Sequence, residues 1–293
     1  LNLIYLIISL FCLSAFAKLN VITTTANLKS LTEIIGGNKI EVMSLSRGSQ
    51  DPHFLEAKPS YMIKASRADL LISVGLELEI GWLPLVIRGS RNPKLRPGQL
   101  GSLIAGSFIE TIEKPVGSLT RADGDVHPFG NPHFMLDPLN SLKVAKALSE
   151  RLSFLDKENE SYYAKNLESF EKLVIQKMRI WKKKVPKNLK VITYHRTLSY
   201  FYNRFDIINS DILEPKPGVP PTVKHIMKLL IKAKEQKIKL ILVENYFDAT
   251  VANRVAREIE GMRVQSIPVS VGGIEEIKNI IELYDHLVDE VSK

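Results

Sequence analysis

An α/β protein with two doubly wound parallel-sheet lobes joined by one long connecting helix is the fold this sequence predicts. Short β-branched runs alternate with helical periods from Lys18 to about Gly106. The same alternation resumes after Pro186. Between them Tyr163, Leu167, Phe170, Val174, Met178 and Trp181 form one helical stripe, and Lys157–Lys184 contains neither Pro nor Gly. Strands that alternate with helices build parallel sheets covered on both faces. At 1.5 Å per residue the connector spans roughly 40 Å.

The elements follow in order. Leu19–Thr24 is a strand, Leu28–Ile35 a helix stopped by Gly36-Gly37, and Lys39–Leu45 a strand. Pro59–Ala68 reads as a helix with Pro in its first turn, Leu70–Val74 as a buried strand, and Glu77–Arg88 as a helix with Trp82, Leu85 and Val86 on its apolar side. Asp137 opens a helix to about Phe154. In the second half the expected strands are Leu189–Thr193, Phe205–Ile208, Lys239–Val243 and Arg263–Ile267, and the expected helices are Thr222–Glu235, Ala249–Glu260 and a closing amphipathic segment after Gly272-Gly273. The resulting division is 18–156 for the first lobe, 157–184 for the connector and 185–293 for the second lobe.

Leu1 to Ala17 is uncharged and almost wholly apolar, and Ala15-Phe16-Ala17 has the small-x-small pattern of a signal-peptidase site. A secretory signal cleaved after Ala17 is the expectation, with Phe11 too bulky to make Cys12 a lipidation site. Cys12 is the only cysteine, so the mature chain has no disulfide and no thiolate ligand. The formal charge of +8 is spread along the chain, with no aromatic-interleaved basic stripe and no nucleic-acid motif.

The stretch Gly124–Pro138 holds two His, two Asp, three Pro and two Gly, a mix that excludes helix and strand interiors. It is a stiff loop that presents imidazoles beside carboxylates. In parallel sheets ligands collect at the carboxyl ends of the strands. His53 follows the second strand, His133 precedes the helix that Asp137 opens, and His195 and Glu244 follow strands of the second half. His225 and His286 fall inside helices and read as surface or boundary residues. Three imidazoles and an oxygen donor make a tetrahedral site suited to zinc. No zincin motif, P-loop, nucleophile elbow or dinucleotide fingerprint occurs.

With these motifs the chain resembles the metal-binding solute-binding proteins of ABC importers, the zinc and manganese class with a long connecting helix (cluster A-I). The resemblance rests on Asp51-Pro52-His53 with Lys58-Pro59-Ser60, on Asn131-Pro132-His133-Phe134-Met135-Leu136-Asp137-Pro138, on Tyr194-His195 and on Val243-Glu244-Asn245. It implies a binding protein, not an enzyme, that uses His53, His133 and His195 to hold a divalent metal between its lobes. It also implies a periplasmic monomer that delivers the ion to a membrane permease driven by a cytoplasmic ATPase.

Two departures stand out. The His- and acid-rich loop of many zinc members is absent, and the Asp-Pro pair that supplies a carboxylate after the last strand reads Ile267-Pro268. The fourth donor is then Glu244, unless Glu244 instead orients His195, with His127 and Asp125 as outside candidates. Zn2+ is the expected ion, with Mn2+ or Fe2+ as the alternative within the class and a secreted three-His zinc hydrolase as the alternative outside it.

Overall fold

The computed structural model describes residues 18–115, 117, 126–216 and 218–293. The expected signal segment and Asp125 lie outside the described residues. In the first lobe β1 (Leu19–Thr23), β2 (Ile40–Ser44), β3 (Leu70–Ser73) and β4 (Ser102–Ile104) form a parallel sheet in the order β2-β1-β3-β4. In the second, β5 (Lys190–Thr193), β6 (Ile208–Ile212), β7 (Leu240–Glu244) and β8 (Arg263–Ile267) repeat the arrangement as β6-β5-β7-β8. Each order reverses direction at its first strand, which opens a crevice at the carboxyl edge.

Helices α1 (Ala26–Gly36), α2 (Pro59–Ser66) and α3 (Leu83–Ser90) cover the first sheet. Thr25 caps α1 by accepting from the Leu28 N–H, and Pro59 stands at the start of α2, where a missing N–H costs nothing. α3 begins at Leu83 rather than Glu77, because Leu76 and Glu77 hold left-handed backbone that no helix continues. In the second lobe α6 (Ser199–Phe205), α7 (Val223–Glu235) and α8 (Thr250–Arg257) alternate with the strands. The strand expected at Phe205–Ile208 is displaced. α6 ends at Phe205, Asp206 turns the chain in left-handed backbone, and β6 starts at Ile208.

α4 (Pro138–Leu155) and α5 (Glu160–Lys184, after a 3-10 turn at Lys157–Asn159) form the spine. The α5 stripe of Tyr163, Phe170, Val174, Met178 and Trp181 is buried as its spacing predicts. α5 packs on α4 and α1, and the closing helix α9 (Ile280–Ser292) crosses back onto α5 and α1 while keeping contact with β8. Trp181 and Lys177 both donate to Asp285 at that crossing.

One apolar core runs from β1 and α1 through α4, α5 and α9 into β5, β7 and β8. Polar bonds tie the lobes further. Asn27 donates to the Val269 carbonyl (3.1 Å) and accepts from the Val271 N–H (2.8 Å), and Arg204 on α6 makes a two-pronged pair with Asp137, both bonds 2.7 Å. Gly48 lies close against the second lobe, since a Cβ there would stand 2.1 Å from the Val271 carbonyl oxygen.

Candidate metal centre

The carboxyl edges of both sheets face each other across the crevice, and the chain puts a histidine on each side. After β2 the loop ends in a 3-10 turn at Pro52–Phe54. Trp82, buried under it, donates its indole N–H to the Pro52 carbonyl at 3.0 Å. Asp51 caps this turn by accepting the His53 backbone N–H (3.0 Å), and the same Oδ1 accepts from His53 Nδ1 at 2.6 Å. One carboxylate thus fixes backbone and ring together and leaves Nε2 free. Burial, the largest influence on Asp51, works upward, but the hydrogen bonds and charge of His53 overcome it and hold its carboxyl below the usual range.

His133 sits just before the 3-10 turn Phe134–Leu136 that leads into α4. Its N–H donates to Asn131 Oδ1 (2.9 Å), while Asn131 Nδ2 donates across the crevice to the Arg196 carbonyl (2.8 Å) and to Glu113 (2.9 Å). His133 Nε2 is buried without a hydrogen-bond partner. Burial above all, then the charges of the neighbouring imidazoles, pushes its pKa far down.

His195 follows β5 and is buried. Its Nδ1–H donates to Glu214 Oε2 at 2.7 Å, and Glu214 Oε1 accepts the Gly218 N–H at 3.0 Å. Burial, again the largest influence, lowers its pKa. The Glu214 hydrogen bond with the charges of Glu244, Glu214 and Asp51 reverses that, so the net shift is upward.

Donor atoms of His53, His133 and His195 all lie within 4.8 Å of one another. Nitrogens bonded to one tetrahedral zinc at about 2.05 Å stand ~3.3 Å apart. Three nitrogens this close can converge on one ion with small ring adjustments. Outside this trio, His127 places its Nε2 3.1 Å from His53 Nε2, the separation of two ligands on one ion. Burial first, then the charges of His53 and His195, brings the His127 pKa down to about 4. His127 is therefore a neutral donor at neutral pH.

Glu244 ends β7, between the strands that end at His195 and Ile267. It does not join the trio. Its carboxylate is buried and neither oxygen makes a hydrogen bond of good geometry. Burial drives its pKa up, opposed by the His195 charge and the Thr197 hydroxyl beside it. The hydrogen bond that orients His195 comes from Glu214 and not from Glu244, a partner the sequence reading did not single out. Ile267 is fully buried apolar core. His225 donates to the Ile212 carbonyl at 2.7 Å and His286 lies on α9, so neither enters the cluster.

Two lobes that meet over converging imidazoles define a binding protein for a transition-metal cation. The family model "Zinc-uptake complex component A periplasmic" (ZnuA) matches residues 21–293, and the chain belongs to that family. It is thus a substrate-binding protein of a metal ABC importer and not an enzyme.

Among curated relatives it is 28% identical over 251 residues to the metal ABC transporter substrate-binding lipoprotein FimA of Streptococcus parasanguinis, covering 83% of this chain and 78% of that protein. It is 27% identical over 252 residues to the manganese ABC transporter substrate-binding lipoprotein PsaA of Streptococcus pneumoniae, covering 84% and 78%. A zinc-bound ZnuA deletion mutant shares the fold with a TM-score of 0.76 at 21% identity, covering 94% of this chain and 99% of that one. FpvC of Pseudomonas aeruginosa in complex with Mn2+ does so at 0.74 and 19%, covering 94% and 96%.

Proposed function

We propose that this protein captures Zn2+ in the periplasm, through His53, His133 and His195, and delivers it to an importer permease driven by a cytoplasmic ATPase. The nitrogen-rich donor set carries the reading. Imidazole suits zinc, whereas manganese prefers carboxylate and water oxygens. Asp51 and Glu214 each hold an Nδ1–H, which leaves Nε2 as the metal-facing atom on both rings. His127 is the fourth donor that the 3.1 Å contact with His53 favours.

The second reading is a Mn2+ or Fe2+ site, and the buried, unpaired carboxylate of Glu244 favours it, because turning that side chain into the cluster would supply a hard oxygen. PsaA, a relative, is named for manganese. The export route follows from the first seventeen residues. Cleavage after Ala17 leaves a monomeric chain of two lobes, 18–156 and 185–293, on the 157–184 connector.

Elemental analysis of protein purified without added metal, followed by competition between Zn2+ and Mn2+, tests the ion. Retention of zinc against excess manganese is expected. Preferential manganese loading would overturn the zinc reading and move the weight to Glu244.

A further inference from the structure

Helix α7 carries an outward face that neither the core nor the metal centre uses. Val223, Met227 and Ile231 recur every fourth residue and are 81%, 55% and 56% exposed. The inner face is already satisfied, since Leu229 and Ala233 are buried in the second lobe's own core with Ile226 and Leu230 against it. At 100° per residue the three apolar side chains share an arc of about 140° with Lys224, Lys228 and Lys234. Those lysines are exposed, and Glu235 is the single acid among them. Lys232 points elsewhere and pairs with Asp211 at 3.1 Å.

The chemistry of this face selects its partner. The buried centre of a protein interface is depleted in lysine, so a stripe with lysines on every turn fits a protein groove poorly. An anionic bilayer surface accepts both components. Apolar side chains enter the boundary of the acyl chains, and lysines extend along them to the phosphates. The net charge of +8 adds long-range attraction to such a surface. The helix also starts in the right place. His225 donates to the carbonyl of Ile212, the last residue of β6, so α7 begins at the strand edge that carries the histidines.

We propose that the outer face of α7 rests on the anionic phospholipid surface of the membrane, independently of the metal. The test is co-sedimentation of the chain from Lys18, which contains every described element, with vesicles of equimolar phosphatidylglycerol and phosphatidylcholine and with phosphatidylcholine alone. Binding to the anionic vesicles only, weakened by salt, is expected.

Changing Lys224, Lys228 and Lys234 together to Gln should lower partitioning roughly a hundredfold, about fivefold per lysine. The pair Met227→Glu and Ile231→Glu should abolish it. The control changes Lys182, Lys183 and Lys187 to Gln, three exposed lysines outside this face. Unchanged zinc affinity reports that each variant is folded. Equal binding to both vesicle types, no binding to either, or an equal loss in the control variant would overturn the proposal, the last by showing that net charge and not this face is responsible.

Discussion

Glu214→Gln is the perturbation with the sharpest consequence. The two oxygens of Glu214 have separate tasks, one accepting from His195 Nδ1 at 2.7 Å and the other from the Gly218 N–H at 3.0 Å. Glutamine offers one acceptor and one donor in the same volume. With its oxygen on His195, its NH2 meets the Gly218 N–H and leaves a buried donor unsatisfied, which costs about 1–3 kcal/mol. With its NH2 on His195, the ring must adopt the other tautomer, and the proton then sits on the metal-facing Nε2. Either way zinc affinity should fall about ten- to a hundredfold, some 1.4–2.8 kcal/mol.

The pH profile separates this from general damage. The folded His195 pKa lies above 6.5. The proton held there stabilises the metal-free protein fully below the unfolded value, and that stabilisation is lost as pH rises through the folded value. Zinc must displace the same proton, so wild-type affinity should decline as pH falls through that window. Without the Glu214 charge the decline moves to lower pH. The variant's deficit should thus be largest near neutrality and shrink in mild acid. A chelator-competition titration across that range checks both parts. Wild-type affinity in Glu214→Gln, or a deficit that grows in acid, would refute the role of Glu214.

Single changes of His53, His133 or His195 to Ala should weaken zinc binding by orders of magnitude, while His225→Ala and His286→Ala leave it intact; calorimetry decides, and full-strength binding by His133→Ala would sink the assignment. X-ray absorption on His127→Ala and Glu244→Gln identifies the fourth donor: loss of a nitrogen scatterer in the first variant and an unchanged spectrum in the second is expected. A changed spectrum in Glu244→Gln alone would transfer the role to that carboxylate. Scattering curves with and without zinc should nearly coincide, and a shift of several ångströms in radius of gyration would show that the lobes hinge.

How legible all this was in the sequence depended on local pattern strength. Strands buried on both sides, such as β3 and β7, read directly as continuous apolar runs. The α5 stripe read directly as well. β6 did not. It is an edge strand of sequence Ile-Asn-Ser-Asp-Ile, with polar residues that local propensity assigns to turns. α6 was hidden for the opposite reason, since Ser199, Tyr200, Phe201, Tyr202 and Phe205 are all buried and no polar face marks its period. With the strand expected at Phe205–Ile208, nothing local marks Glu214 as lying just past a strand end, where it meets His195. The ligand candidates were legible because strand ends in parallel sheets fix their own position. Their carboxylate partners depend on register between strands, which no local pattern records.

The core shared by both lobes predicts that ion capture is a local event at the crevice rather than a closing of jaws. The core is continuous from the first sheet through α5 to the second. Separating the lobes would also expose the buried side of the Asp137–Arg204 pair, break both bonds of Asn27 and pull the Gly48 backbone from Val271. Arg204 is partly exposed, so water screens that pair, and the continuous apolar core carries most of the cost of separation. Among the described residues His133 Nε2 makes no hydrogen bond and neither Glu244 oxygen makes one of good geometry. A rotation of the His133 ring and a swing of Glu244 therefore break fewer bonds than any movement of the spine. On the proposed site, the rings anchored by Asp51 and Glu214 would be the fixed half of the centre, to which the unanchored side chains would adjust when an ion binds.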